Sequence, residues 1–341
     1  MKTLGLGVIG CGEIAYSYHL PALQRVQGAR LVAVASRSPN VAKQAAQDFN
    51  AAKYYTSAHD LLADPDIEAV LLLTPNYSRV ELISAAALAG KAMLIQKPLA
   101  RNLNEAKEIS RIVADTKVLA VPSFMHRYFP EVLKAREYIN QGVLGDVHMI
   151  RMRNATPGSS WSSWFFRKEF VGGGAAIDIG VHGIDLIRWL ISDIRTVCAV
   201  SKTLVSERVI HGERIKPDNE DTVIAIYELQ NGAICSHEIS WTQIEGYKRF
   251  EMEIYGSEGS ILIRSGIGPL CIASRKLNLD GQWLLPDLPR QFLGVVHHQD
   301  FVQAVREAPT SLTALLQDGV RSIEVVTALS ESTLTGRTVS V

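Results

Sequence analysis

A chain of 341 residues exceeds what one hydrophobic core usually fills, so two domains are expected. Its 35 Lys and Arg balance 35 Asp and Glu, leaving no net field to gather a phosphate backbone or an anionic lipid surface, which argues against nucleic acid and membrane as partners. Cys11, Cys198, Cys235 and Cys271 are widely spaced, with no Cys-x-x-Cys pair and no histidine at zinc spacing, so they read as reduced thiols of a cytoplasmic protein without a metal.

Met1-Lys2-Thr3 leads into a short Gly-interrupted apolar run that reads as a first strand and not as a signal peptide. No run approaches the roughly 18 apolar residues of a membrane span. Strands are expected at 5–9, 30–35, 69–73, 92–95 and 119–122, with amphipathic helices at 41–49, 80–89 and 103–115 among the crossovers. Five strands with four crossovers make a Rossmann-type domain over residues 1–125. The first strand ends in Gly10-Cys11-Gly12-Glu13-Ile14-Ala15, a G-x-G-x-x-A turn that opens a helix. Its glycines let the backbone approach a dinucleotide pyrophosphate, which assigns Gly10, Gly12, Glu13 and Ile14 to an NAD(P) site.

After the second strand, where an acid would hold a ribose 2′-hydroxyl, stands Ser36-Arg37-Ser38. Hydroxyls and a guanidinium suit a 2′-phosphate, so NADP is expected over NAD, and Arg37 is also suited to stack on adenine. Thr74-Pro75-Asn76 breaks the third strand at its carboxyl end, where open α/β sheets bind ligands. The fourth strand ends in Gln96-Lys97-Pro98, which adds Gln96 and Lys97 to the expected cofactor site, with Lys97 on the side expected for the nicotinamide.

Past Pro130 a helix at 131–141 ends at Gly142, and the rhythm changes to strands at 147–156, 196–205, 222–229, 233–241, 250–255 and 260–264. Turn signals at Gln230-Asn231-Gly232 and Gly256-Ser257-Glu258-Gly259 make residues 126–341 an α+β domain with a large, mainly antiparallel sheet. Helices at 172–191 and 299–307 are expected to cover part of one face, leaving a face suited to a homodimer or homotetramer contact. Within the first helix, after Gly172-Gly173-Gly174, Asp178 and His182 stand four apart on one side. Such a pair either works on a bound molecule or is a buried carboxylate orienting a core histidine. Upstream, Trp161-Ser162-Ser163-Trp164-Phe165-Phe166 offers Trp164 as a wall for a sugar ring. His297 and His298 diverge by about 100° on a helix and cannot readily share an ion, so they read as a helix start with a substrate-side histidine.

The glycine turn, the Lys-Pro after the fourth strand, the Gly-Gly-Gly run and the Asp-x-x-x-His helix, in this order, resemble the glucose-fructose oxidoreductase, inositol dehydrogenase and MocA (Gfo/Idh/MocA) family. The resemblance extends to Arg127-Tyr128-Phe129-Pro130, Gly142-Val143-Leu144-Gly145, Asp318-Gly319 and Gly336-Arg337-Thr338-Val339. It implies hydride transfer between a nicotinamide and a secondary alcohol or ketone of a sugar, cyclitol or related polyol. It also puts Lys97, Asp178 and His182 on catalytic positions. His182 is then the general base, Lys97 a donor to the same oxygen, and Asp178 the group that fixes substrate and imidazole. The resemblance further implies a cofactor contact for Arg167 and a substrate contact for Arg127. Two residues depart from the family pattern: Gln96 where glutamate is usual, and Arg79 where histidine is frequent, the latter expected against the cofactor or in solvent. A dinucleotide-binding regulator and an NAD-dependent glycosidase are the competing readings; the retained Lys97 and His182 speak against the first.

Overall fold

The structure, a computed structural model, describes residues 3–243, 248–279 and 281–341. Contacts divide the chain into two compact units, Met1–Tyr128 with Gln291–Arg321, and Phe129–Arg290 with Ser322–Val341. The expected boundary at 125/126 lies close to the first crossing, and residues 291–321 return to the first unit.

In the first unit β1 (Leu4–Ile9), β2 (Ala29–Ala35), β3 (Lys53–Tyr55), β4 (Ala69–Leu72), β5 (Ala92–Gln96) and β6 (Ala120–Ser123) form a sheet in the order β3-β2-β1-β4-β5-β6. Every neighbouring pair is parallel. Central strands read as unbroken apolar runs because helices bury both faces. Crossovers carry α1 (Leu20–Leu23), α2 (Pro39–Asp48), α3 (Ala58–Leu62), α4 (Arg79–Leu88) and α5 (Leu103–Thr116). The expected five strands are six. The added strand, β3, is a three-residue edge of sequence Lys-Tyr-Tyr with no apolar run to betray it.

The second unit holds α6 (Pro130–Asn140), α7 (Lys168–Val171) and α8 (Val181–Leu190), with a small hairpin of β9 (Arg208–Ile210) and β10 (Glu213–Ile215). Its sheet comprises β7 (Val147–Ala155), β8 (Ile194–Lys202), β11 (Thr222–Leu229), β12 (Ile234–Ser240), β13 (Phe250–Gly256), β14 (Gly259–Ile263), β15 (Leu270–Ser274) and β16 (Val339–Ser340). The order is β15-β14-β13-β7-β12-β11-β8-β16, antiparallel throughout except for β7 beside β12. Inward residues such as Val223, Ala225 and Tyr227 alternate with exposed Ile224 and Ile226. Lys168–Leu190 is long and apolar enough to cross a membrane, but 83% of its most apolar 18-residue window is buried within this unit.

Between β15 and β16 the chain forms α9 (Val295–Arg306) and α10 (Leu316–Thr335). The helix expected at 299–307 to cover the antiparallel sheet is α9, and it belongs to the first unit. Phe301 and Val302 join Leu4, Leu6, Val8 and Leu20 in the core there. Helical periodicity tells that a face is apolar but not which sheet receives it.

Candidate active site

At the head of β1, Gly10 has φ +102° and donates its N–H to the Ala35 carbonyl at 2.9 Å. A Cβ there would lie 2.9 Å from the Leu73 carbonyl carbon, so only glycine fits. Around Gly12, by contrast, a Cβ would meet nothing within 4 Å. The following helix begins with a π-helical turn, Ala15–His19, that runs into α1. An open space over a helix start whose glycine exposes the backbone suits a dinucleotide pyrophosphate, so these residues fit the cofactor. Glu13 beside it is exposed and Ile14 half-buried.

Ser36, Arg37 and Ser38 follow β2; the Ser36 N–H is held by the Tyr55 carbonyl, and exposed Arg37 donates to Tyr77 Oη at 3.3 Å. Ser38 stands at the N-cap of α2 without a side-chain capping bond. Thr74 follows β4, and its hydroxyl accepts from Ser78 at 2.9 Å. Pro75 then precedes buried Asn76, which opens a short helical turn. The glycine turn, the Ser-Arg-Ser segment, Thr74–Asn76 and Gln96-Lys97 therefore share the carboxyl edge of one parallel sheet.

Arg79 corrects an expectation, since it faces neither cofactor nor solvent. It is 1% exposed and binds backbone carbonyls only: Thr74 through Nε (3.1 Å) and Nη2 (2.8 Å), Pro98 through Nη1 (2.7 Å), and Gln96 through Nη1. Burial pulls its pKa down to about 9. It thus ties the end of β4 to the end of β5 on both sides of Lys97. Gln96 is buried too, and its Oε1 accepts the Lys97 N–H at 2.8 Å. Lys97 is half-buried and joined to Pro98 by a cis peptide.

Arg127, expected at the substrate, is 2% exposed and pairs with Asp318 at 3.0 Å, which gives the Asp318-Gly319 motif a function inside this unit. His297 and His298, expected as a helix start with a substrate-side histidine, stand in the first turn of α9 and are both buried. Tyr128 stacks on His297 with centroids 4.5 Å apart, and His298 hydrogen-bonds His19 at 2.9 Å. Among the described residues no group of three or more His, Cys, Asp or Glu is arranged to hold a metal ion.

In the second unit the uniform helix expected at 172–191 starts instead with a π-helical turn, Ala176–Gly180, that runs into α8. Asp178 lies in that wide turn and His182 in the first turn of α8; the aspartate is half-buried and the histidine 1% exposed. Asp178 Oδ2 accepts from Trp241 Nε1 at 3.2 Å. Trp164 stacks on Phe165 with centroids 4.2 Å apart, and Arg167 is exposed just before α7.

A set of residues missed in the sequence holds this helix start. Glu220 Oε1 accepts the N–H groups of Gly174 (2.9 Å) and Ala176 (3.2 Å), and Asn219 Nδ2 donates to the carbonyls of Phe165 and Gly173, both at 2.9 Å. Asp218 accepts the Lys168 N–H at 2.6 Å. A carboxylate on orphan N–H groups is favourable at a helix start, while burial raises the pKa of Glu220. Nothing local distinguishes Asp218-Asn219-Glu220 from an ordinary polar turn; only its place opposite the glycine run does.

Residues 4–124 match the oxidoreductase family with an NAD-binding Rossmann fold, and residues 132–262 match the GFO/IDH/MocA C-terminal domain. An uncharacterised oxidoreductase of Synechocystis sp. is 30% identical over 271 residues, 77% of this chain and 72% of that protein. Levoglucosan dehydrogenase of Pseudarthrobacter phenanthrenivorans is 28% identical over 97% of this chain and 96% of its own. A solved levoglucosan dehydrogenase structure in complex with NADH and L-sorbose superposes with a TM-score of 0.89 at 28% identity, covering 100% of this chain and 99% of that one. The scyllo-inositol 2-dehydrogenase (NAD(+)) of Bacillus subtilis is 26% identical over 95% of this chain and 92% of its own.

Proposed function

The chain belongs to the Gfo/Idh/MocA family of oxidoreductases, and from that premise we propose that it oxidises a secondary hydroxyl of a sugar or cyclitol, or reduces the matching ketone, with a nicotinamide dinucleotide. The observation that carries this is the carboxyl edge of the parallel sheet, where a glycine turn open for a pyrophosphate follows β1 and a lysine with a fixed backbone follows β5, with β4 between them. The names of the relatives, levoglucosan dehydrogenase and scyllo-inositol 2-dehydrogenase, support the substrate class.

When bound, the nicotinamide supplies or takes the hydride. His182, buried, takes the hydroxyl proton. Lys97 donates a hydrogen bond to the same oxygen and stabilises its developing charge. Asp178, held by Trp241, orients substrate and imidazole. Trp164 walls the sugar, Arg167 is a cofactor residue, and the 126–341 domain carries the substrate. Arg127, paired with Asp318, supports the substrate side at one remove. The absence of an acid after β2, with exposed Arg37 in its place, supports NADP over NAD. A cytoplasmic homodimer or homotetramer through the open sheet face fits the four free cysteines and the exposed Val200, Ile224, Ile226 and Ile234.

The test is a fluorescence titration with NADPH and with NADH at one ionic strength, followed by a panel of sugars, inositols and their ketones. Tighter NADPH binding, with turnover lost in Lys97→Ala and in His182→Ala, is the expected result. Failure to bind either nucleotide refutes the reading.

A further inference from the structure

A chain of side chains leads from Lys97 into the interior of the first unit, and its polarity is fixed at both ends. At one end the Lys97 N–H can only donate, so the Gln96 atom 2.8 Å away is the oxygen and the amide NH2 faces His19 Nε2, a long contact of 3.5 Å. At the other end the Gly294 carbonyl can only accept, so His298 Nδ1, 2.7 Å away, carries a proton. With His298 neutral, its Nε2 is a bare acceptor, and His19 Nδ1 at 2.9 Å must donate to it. A neutral His19 then has its lone pair on Nε2, which is what the Gln96 amide requires. Both rings are fully buried, and burial lowers His298 to about 4 and His19 well below its ordinary value, with His298 and His297 adding to the effect on His19.

We infer that Gln96 is a positioning residue for Lys97: its amide joins the lysine backbone to a neutral, single-tautomer histidine pair and so fixes the lysine relative to the helix that follows the cofactor turn. This rests on Lys97 acting at the reacting oxygen. The amide is required because it accepts at one end and donates at the other. A carboxylate of the same shape would satisfy the Lys97 N–H but set an oxygen lone pair against the His19 lone pair. The contact must then open, or a proton must be taken up between them. Around His19 stand Tyr18 on its own helix, His297 and His298 on α9, and Gln96 at the end of β5. Tyr128 and Asp300 lie beyond His297, and Arg79 reaches the Gln96 carbonyl.

The first measurement is nitrogen NMR of the wild-type protein labelled in histidine. His19 and His298 are expected as neutral Nδ1–H tautomers across roughly pH 6 to 8. His19 found as the Nε2–H tautomer, or charged, overturns the inference, and this readout needs neither activity nor a variant. The second is Gln96→Glu, in which kcat is expected to fall roughly 10- to 100-fold with the cofactor KM little changed. The deficit should deepen as pH rises, because at lower pH a shared proton restores the donor toward the carboxylate. Wild-type kcat and pH profile in that variant also overturn it. Lys97→Ala separates the two readings: full activity there refutes the catalytic assignment of Lys97, whereas the histidine tautomers report on the chain itself.

Discussion

Trp241 is 1% exposed and spends its indole N–H on the Asp178 carboxylate. Trp241→Phe keeps most of the ring and deletes the donor. A hydrogen bond to a charged group contributes roughly 1.5–3 kcal/mol, so kcat/KM is expected to fall at least about tenfold; steady-state kinetics beside a urea titration separate this from lost folding. An unchanged kcat/KM removes Trp241 from the site. Asp178 was legible in the sequence because the glycine run and the histidine beside it are local. Its donor lies 63 positions away and was not. Arg79 shows the same limit from the other side: an arginine opening a helix reads as a surface or ligand group, and only the three carbonyls gathered around it make it a buried clamp.

Among the elements, the helical stretch bearing Asp178 and His182 depends on how closely it approaches the sheet. A Cβ on Gly183 would lie 2.3 Å from Asn154 Oδ1 and 2.7 Å from His237 Nε2, two polar groups bonded to each other at 2.9 Å. His237 in turn accepts from Tyr227 at 3.0 Å, so the sheet cannot yield without breaking a buried polar chain. Gly183→Ala is therefore expected to cost about 1–3 kcal/mol, seen as a lowered thermal midpoint, together with lost turnover from a displaced His182. A stable, fully active variant would show that the helix can slide. Long apolar or alternating runs such as Thr222–Leu229 were readable, because period two survives without context. The edge strand Lys53–Tyr55, the hairpin Arg208–Ile215 and the π-helical turns were not, since each is imposed by neighbours and not by its own pattern.

On the scale of the whole molecule, four buried histidines set an acid limit. Burial keeps His19, His237, His297 and His298 uncharged, with His237 lowered to about 3 and His298 to about 4. Unfolded, each titrates near 6.5. Between those values the unfolded chain binds more protons, so stability is complete above about pH 6.5 and falls as pH drops. The loss approaches about 1.4 kcal/mol per histidine per pH unit, or about 5.6 kcal/mol per pH unit for the four, so one pH unit costs as much as the whole stability of many proteins. Urea midpoints taken downward from neutral pH should decline steeply; a flat profile contradicts the burial of these rings. The open sheet face sets the second expectation at this scale. Register pairs Val200 with Ile224 and Ile234 with Met149, all more than two-fifths exposed. Ile224→Glu should shift the protein toward monomer in light scattering, and an unchanged mass would exclude this face as the contact.

The return of residues 291–321 to the first unit also governs how the protein emerges from the ribosome. When Tyr128 has been made, the nucleotide-binding sheet still lacks Phe301 and Val302, and His19 still lacks His298. At 5–20 residues per second the missing segment follows on the order of ten to thirty seconds later. The nascent domain therefore waits with an uncovered apolar face while the second unit is translated. A family trait read as two successive domains is, during synthesis, one domain threaded through the making of the other.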